Sequence, residues 1–203
     1  MTLVDTPSAR HMPEIHRWRV AGLLLAAGAG RRYGQPKALA HDGAWLRHAV
    51  EALRDGGCAP LRVVIGARAD EVIKLLPDSG MAVVAEDWET GMAASLRAGL
   101  KALGQLREPR PDAALVHLVD LPDVTAAVVR RVAAFAAADA VARACYHGRP
   151  GHPVLLGRSH WDAVAQAARG DRGASGWLVG RADLRLAECG DLAHGVDVDT
   201  APA

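Results

Sequence analysis

The sequence LLLAAGAGRRYGQPK, residues 23–37, decides the fold of this chain. An apolar run leads into a glycine-rich turn, and cationic side chains follow the turn. This order suits a polyphosphate, because glycines let backbone N–H groups come close to phosphate oxygens. Arg32 and Lys37 would add positive charge that backbone amides lack. The stretch therefore predicts a strand followed by a phosphate-binding loop.

The glycine spacing of this loop differs from the spacing in two common phosphate-binding loops. Its glycines follow the pattern G-x-G-x-x-x-G, one residue longer than the dinucleotide fingerprint. That fingerprint also places an acid after the second strand, where this chain has Gly66-Ala67-Arg68. A P-loop requires Gly-Lys followed by Ser or Thr. Here two residues separate Gly34 from Lys37, and Ala38 follows the lysine. The spacing therefore disfavours both of these classes of loop.

The loop instead resembles L-A-A-G-x-G-x-R-x-G-x-P-K, the signature of the nucleotidyltransferases that make activated sugars, alcohols and pterins. The resemblance implies that Arg32 and Lys37 hold the phosphates of a nucleotide and stabilise the transition state. Tyr33 stands where the family more often has Met, a difference that we expect to leave the chemistry unchanged. The nucleotide-binding residues that the resemblance implies in this loop are Leu25, Ala26, Ala27, Gly28, Gly30 and Lys37.

The length and composition predict one soluble domain, with two small domains as the alternative. The chain has 203 residues, of which half are hydrophobic and 4% aromatic, so the core is expected to consist mostly of Ala, Val and Leu. A formal net charge of +1 argues against binding nucleic acid or a membrane through bulk charge. We expect residues 1–19 to be a flexible extension and residues 20–203 to form the domain.

The cysteines and the start of the chain suggest a cytoplasmic protein. Cys58, Cys145 and Cys189 are far apart in sequence and form no C-x-x-C pair, which predicts reduced thiols rather than a metal site or disulfides. Residues 1–19 lack the apolar stretch of a signal peptide, and no apolar run approaches the length of a membrane span.

Apolar runs alternate with helical patterns along the chain. This alternation predicts an α/β fold with a doubly wound, mostly parallel sheet, followed after residue 140 by a small antiparallel extension on the acceptor side. The predicted strands are Val20–Ala26, Leu61–Ile65, Met81–Ala85, Ala114–Val119, Ala140–Tyr146, Val154–Leu156, Leu184–Cys189 and Val196–Val198. The predicted helices cover Leu46–Leu53, Val72–Leu76, Gly91–Leu103, Val124–Ala138 and Ser159–Ala168. A turn-rich break is expected over residues 148–153.

Carboxylates follow one of the predicted central strands. Asp120 comes directly after an apolar run, so it is expected to lie beside the glycine loop at the carboxyl edge of the sheet. A carboxylate there would repel a triphosphate unless a cation such as Mg²⁺ bridged them. Asp123 is better explained as a helix cap. Asp197 and Asp199 would share one face of a strand, or would simply be a solvated chain end.

The chain end resembles the V-D-x-D-T-P segment of the same nucleotidyltransferases. The acid before the threonine binds the metal in that family, which implies a Mg²⁺ site at Asp120 and Asp199. The family usually continues with Thr-Pro-Glu-Asp, whereas this sequence reads Thr200-Ala201-Pro202-Ala203. The sequence therefore departs from the family directly after the acid that would bind the metal.

Three further segments resemble one branch of that superfamily, the molybdenum-cofactor cytidylyltransferases. Residues 86–100 match W-x-x-G-M-x-x-S-L-x-x-G-L, which implies that Gly91 and Ser95 begin a helix facing the nucleotide. Residues 148–156 match G-x-x-G-H-P-V-L, and residues 170–174 match G-D-x-G-A. These two segments imply that Gly151, His152 and Asp171 bind the acceptor. We expect His152 to be a pocket residue rather than an acid–base catalyst.

The resemblance implies a Mg²⁺-dependent enzyme that transfers CMP from CTP to a phosphomonoester, molybdopterin or its molybdenum-loaded form, and releases pyrophosphate. A molybdoenzyme would then be the partner that receives the product. The choice of CTP depends on Ala26-Ala27-Gly28, because guanylyl relatives tend to carry L-A-G-G. The alternatives are a guanylyltransferase, a transferase for another small phosphorylated acceptor, and a nucleotide-binding chaperone without turnover.

Overall fold

The structure, a computed structural model, describes residues 18–200. Its strands form one sheet of seven in the order β3-β2-β1-β4-β6-β5-β7. The first four strands run parallel to one another, and β6 is antiparallel to its neighbours β4 and β5. The strands are β1 (Val20–Leu25), β2 (Leu61–Ile65), β3 (Ala82–Val84), β4 (Ala113–Leu118), β5 (Val141–Tyr146), β6 (Arg149–Gly157) and β7 (Arg185–Glu188).

Helices cover both faces of this sheet, which confirms the predicted α/β class. Three of them, α1, α2 and α4, pack on one face, while α3, α5 and α6 pack on the other. Strands covered on both faces are expected to be almost continuously apolar, and every residue of β1 is indeed buried. The helices are α1 (Ala40–Asp55), α2 (Ala69–Leu75), α3 (Met92–Gly104), α4 (Ala126–Ala133), α5 (Trp161–Ala167) and α6 (Ser175–Leu178).

The predicted antiparallel extension is present, but its boundaries differ from the prediction. Strand β6 begins at Arg149, inside the segment that was predicted to be a turn-rich break. The turn itself consists only of His147 and Gly148, which both have positive φ angles, of 52° and 80°. A two-residue hairpin favours that conformation because its twist matches the twist of the strands.

The structure corrects one further predicted strand and one predicted helix. Val196–Val198 is not a strand, since this segment makes a single backbone hydrogen bond to the sheet region, from Val198 N to Asp120 O (3.1 Å). Helix α4 ends at Ala133 instead of Ala138. Its end tightens into i−3 hydrogen bonds, from Phe135 N to Val132 O and from Ala136 N to Ala133 O.

The predicted extension over residues 1–19 lies outside the described residues except for Trp18 and Arg19. The backbone N–H of Arg19 donates to a carboxylate oxygen of Asp112 (2.9 Å). None of the helices in residues 18–200 has the length and apolarity that crossing a membrane requires.

A histidine lies in the middle of the core. His117 on β4 is fully buried, and neither of its ring nitrogens has a hydrogen-bond partner among the described residues. Burial, together with the nearby His152 and His48, lowers the pKa of His117 to about 3. The folded protein therefore keeps this ring neutral at a pH where the unfolded chain would protonate it.

This difference predicts a loss of stability in mild acid. The unfolded chain gains a proton at position 117 as the pH falls below about 6.5, whereas the folded chain does not. Because of His117 alone, the free energy of unfolding should fall by about 2 kcal/mol between pH 7 and pH 5. Urea unfolding should show a shallower pH dependence for His117→Leu than for the unsubstituted protein. The exposed His194→Leu is the matched control, and an unchanged slope in His117→Leu would contradict the assignment.

Candidate active site at the carboxyl edge of the sheet

A cleft of about 400 Å³ opens where the carboxyl ends of β1 and β4 meet. Parallel strands present their following loops at the same edge, and β1 lies between β2 and β4, where the chain's connections diverge. Ligands of open α/β sheets bind at this kind of position. The lining residues are 25–33, Lys37, Trp88, Glu89, Gly91, Met92, Ser95, 118–120, Asp171 and Asp199.

The cleft brings together most of the residues that the sequence singled out. All of the predicted nucleotide-binding and metal-binding positions line it, and so does Asp171. Gly151 and His152 do not line it. They lie on β6, where the carbonyl of Gly151 accepts from Arg143 Nε (3.0 Å) and the carbonyl of His152 accepts from the Tyr146 hydroxyl (2.6 Å). Burial lowers the pKa of His152 to about 4. Acceptor binding by these two residues stays a prediction.

The glycine loop folds tightly back on itself. The carbonyl of Gly30 accepts from the N–H groups of Tyr33 (2.9 Å) and Gly34 (2.8 Å). A Cβ atom at Gly30 would lie 1.9 Å from the carbonyl oxygen of Gln35, and the φ angle there is +60°. Only glycine fits both the close approach and the left-handed backbone. This constraint returns the chain toward the cleft and brings Lys37 into it.

Lys37 is the centre of the site. Its ammonium group donates to Asp120 Oδ2 (2.8 Å) and to Asp199 Oδ1 (2.9 Å). Arg32 pairs with the other oxygen of Asp199 (2.8 Å) from a more exposed position. Burial lowers the pKa of Lys37, but the hydrogen bonds and charges of the two carboxylates outweigh burial and raise it above its ordinary value. The hydrogen bond from Lys37 in turn lowers the pKa of Asp199.

The acidic residues fit a hard divalent cation. Asp120, Asp197 and Asp199 each offer a carboxylate oxygen, and these oxygens all lie within 4.8 Å of one another. The second oxygen of Asp120, Oδ1, is buried and has no hydrogen-bond partner among residues 18–200. Carboxylate oxygens are the ligands that Mg²⁺ and similar cations prefer. The ammonium of Lys37 stands between two of the three candidate ligands.

An aromatic group beside the loop was missed by the sequence analysis. The Tyr33 hydroxyl and His41 Nε2 are 3.2 Å apart, and the Tyr33 ring packs against Trp45 at 5.2 Å between centroids. His41, Asp42 and Gly43 all have positive φ angles, which form a sharp turn ahead of the main part of α1. The Asp-Gly pair was the available signal for that turn. Tyr33 therefore anchors the loop to α1, and the expectation that Tyr in place of Met leaves the chemistry unchanged stays a prediction.

The segment 170–173 closes the other side of the cleft. It packs against the start of α3, where a Cβ atom at Gly91 would lie 2.6 Å from Asp171 Oδ1. The negative charge of Asp171 beside Gly91 would repel a phosphate, so this side of the cleft favours an uncharged part of a ligand. Binding of the nucleotide by Gly91 and Ser95 stays a prediction, with their position in the cleft as its support.

The fold and this cleft define a nucleotide-binding α/β domain with a cationic loop facing clustered acids. The chain belongs to the MobA-like NTP transferase domain family, whose sequence profile matches residues 22–186. It is accordingly a nucleotidyltransferase, as the glycine loop predicted.

Similar proteins cover nearly the whole chain. Nicotine blue oxidoreductase of Paenarthrobacter nicotinovorans is 35% identical over 198 residues, which span 89% of this chain and 92% of that protein. The Rv0371c homologue of Mycobacterium sp. strain JC1 is 30% identical, with a TM-score of 0.77 over 90% of this chain and 91% of that one. Rv0371c of Mycobacterium tuberculosis in complex with manganese is 27% identical, with a TM-score of 0.70 over 89% of this chain and 94% of that one.

The position of Lys37 predicts that it competes with a metal ion. Without nucleotide, its ammonium neutralises the two carboxylates that a cation would need. Lys37→Met should therefore bind Mn²⁺ about tenfold more tightly or better, since tenfold corresponds to about 1.4 kcal/mol of lost competition. Isothermal titration with MnCl₂ measures this change. The exposed Lys74→Met on α2 is the matched control, and equal affinity in all three proteins would show that Lys37 does not occupy the metal position.

Proposed function

We propose that this protein transfers CMP from CTP to a phosphomonoester acceptor, molybdopterin or its molybdenum-loaded form, in the presence of Mg²⁺. The observation that carries the proposal is the contact of Lys37 with both Asp120 and Asp199 beneath the glycine loop. This arrangement provides positive charge for phosphates and oxygen ligands for a cation within one cleft.

The reaction is a displacement at the α-phosphorus of the nucleotide. An oxygen of the acceptor phosphate forms the new P–O bond, the bond to the β-phosphate oxygen breaks, and its electron pair leaves with pyrophosphate. A phosphate nucleophile needs no general base, so the protein acts by positioning and by neutralising charge. Gly28 and Gly30 would direct backbone N–H groups at the phosphates, and Arg32 and Lys37 would stabilise the charge on the leaving group.

Asp120 and Asp199 would hold the Mg²⁺ ion, with Asp197 as a third, exposed ligand. When bound, the ion supplies positive charge that offsets repulsion between these carboxylates and the phosphates. Lys37 would exchange its two carboxylates for phosphate oxygens as the nucleotide enters. The manganese complex of Rv0371c supports a divalent cation in this family.

The rigidity of the loop supports CTP as the donor. Ala26 N donates to Val64 O (2.8 Å), and Ala67 N donates to Ala27 O (3.0 Å). These bonds tie the turn to β2 and hold the buried methyl group of Ala27 in place, which under this proposal narrows the cleft and favours the smaller base of CTP.

Pyrophosphate release tests the proposal directly. With molybdopterin and Mg²⁺, CTP should give product, whereas GTP, ATP and UTP should give little. Lys37→Ala should lower turnover about 100-fold, since a positioned cationic donor is worth on the order of 3 kcal/mol of barrier. Lys101→Ala, an exposed lysine at the end of α3, should keep full activity and serves as the control.

The other outcomes of this assay identify the alternatives. Product from GTP would make the protein a guanylyltransferase, and product only with a different phosphorylated compound would change the acceptor. A rise in melting temperature with CTP and Mg²⁺, but no pyrophosphate with any acceptor, would indicate a nucleotide-binding chaperone. Full turnover by Lys37→Ala would remove Lys37 from the mechanism.

The name of one relative favours a second candidate, a redox activity toward nicotine blue. Strands β3-β2-β1-β4 have the same order as the first four strands of a dinucleotide-binding fold. Arg68 follows β2, from where such folds can hold a 2′-phosphate. Loss of NADPH absorbance on adding nicotine blue, faster than loss of NADH, would support this activity. No oxidation of either dinucleotide would exclude it.

A further inference from the structure

The acidic segment, residues 194–199, carries two of the three candidate metal ligands, Asp197 and Asp199. It contains neither helix nor strand. Among residues 18–200, its backbone makes one hydrogen bond to another backbone group, from Val198 N to Asp120 O (3.1 Å). Side-chain contacts must therefore hold these two carboxylates in the cleft.

Asp123 binds the beginning of the acidic segment. Its Oδ2 atom accepts hydrogen bonds from His194 N (2.7 Å) and Gly195 N (3.0 Å). The helix cap that the sequence predicted at Asp123 is wrong, because the N-cap position of α4 belongs to Thr125. Hydrogen bonds to a charged acceptor are stronger than those between neutral groups. Asp123 therefore ties the acidic segment firmly to the loop that follows β4.

The ring of Tyr146 packs against the same part of the acidic segment. A Cβ atom at Gly195 would lie 2.1 Å from Tyr146 Cε2, and the φ angle of Gly195 is +62°. Only glycine fits this position. The ring is itself fixed, since the residue is buried and its hydroxyl donates to the carbonyl of His152 (2.6 Å). The start of the acidic segment is thus held by Asp123 and by close packing on Tyr146.

Asp123 and Asp120 belong to one short turn. They are three residues apart in sequence, and Val124 N donates to Leu121 O (3.2 Å) across the turn. The same turn therefore presents Asp120 to the cleft and Asp123 to the acidic segment. Because the backbone of the turn fixes the separation of these two carboxylates, Asp123 sets where the acidic segment lies relative to Asp120.

The ion pairs of the acidic segment belong to the charged centre itself. Lys37 and Arg32 both pair with Asp199. Under the proposed function, Lys37 exchanges this contact for phosphate oxygens when the nucleotide and the cation enter. The hydrogen bonds of Asp123 are independent of that exchange, because they go to backbone N–H groups. They continue to hold the acidic segment when the cation needs Asp199.

Folding stability alone does not explain a carboxylate at position 123. Its second oxygen, Oδ1, is buried and has no hydrogen-bond partner within residues 18–200. A buried oxygen without a partner costs free energy. Features that reduce stability in this way are expected beside functional sites, where another requirement outweighs the cost.

We infer that Asp123 is a positioning residue for the metal site, which holds Asp197 and Asp199 within reach of the cation that Asp120 also binds. It acts through the backbone of the acidic segment and is not itself a ligand of the cation. The inference rests on the proposed function, because that function requires the cation. Loss of a group that orients metal ligands typically weakens metal binding by about 10–100-fold.

Isothermal titration with MnCl₂ tests this role without turnover. Asp123→Ala should bind Mn²⁺ about tenfold more weakly than the unsubstituted protein. Asp123→Asn keeps an accepting oxygen at the same reach and should bind almost as tightly as the unsubstituted protein. Asp123→Glu keeps the charge but moves the oxygens by one methylene group, so it should bind almost as weakly as Asp123→Ala.

Asp78→Ala is the matched control. Asp78 also accepts from a backbone N–H, that of Gly80 (2.9 Å), but it precedes β3 at the opposite edge of the sheet. Its loss removes the same charge and should leave Mn²⁺ binding unchanged. Thermal melting shows which variants are folded. If Asp123→Ala does not fold, the milder changes Asp123→Asn and Asp123→Glu decide the outcome.

Three results would overturn the inference. Equal affinity in the unsubstituted protein, Asp123→Ala and Asp123→Glu would show that Asp123 serves stability alone. Loss of affinity in Asp123→Asn but not in Asp123→Glu would show that its charge acts on the cation directly. In both cases Mn²⁺ still binds, so the proposed function stands. Absence of Mn²⁺ binding by the unsubstituted protein would instead contradict the metal site of the proposed function, and the role of Asp123 with it.

Discussion

The contact between one ammonium group and two carboxylates organises this site. Lys37 donates to Asp120, 83 residues away in sequence, and to Asp199, 162 residues away. The carboxylates of Asp120 and Asp199 would repel each other if no cation lay between them. The loop after β1, the end of β4 and the last described segment are therefore joined by charge as well as by the backbone.

The fold supplies the geometry for that contact. Because β1 and β4 are adjacent and parallel, the glycine loop and Asp120 emerge side by side. The tight loop at Gly30 then returns the chain to the cleft, and the packing of Tyr33 on Trp45 fixes its outer part to α1. The backbone of the loop that carries Lys37 is thus held in place by packing, which reduces the ordering that binding would otherwise require.

The strongest sequence signals concerned local structure. Continuous apolar runs predicted β1 and β2 almost to the residue, because a strand covered on both faces is almost entirely apolar, with Arg62 of β2 as the exception. The prediction failed at Val196–Val198, where the valines suggested a strand but the segment lies beside the end of β4, with Val198 N bonded to Asp120 O, and pairs with no edge of the sheet. It also missed that residues 149–153 belong to β6. Glycines and prolines in this segment predict a turn, whereas pairing with the antiparallel neighbour β5 makes it a strand.

The sequence by itself determined the α/β class, the glycine loop and the residues of the charged centre, because glycine spacing, apolar runs and strand-end acids are local patterns. Only the tertiary structure decided that Lys37 bridges Asp120 and Asp199, that Asp171 lies against Gly91, and that His152 lies away from the cleft. These relations join residues far apart along the chain. They follow from strand order and from the packing of loops on helix ends, which no single stretch of sequence encodes.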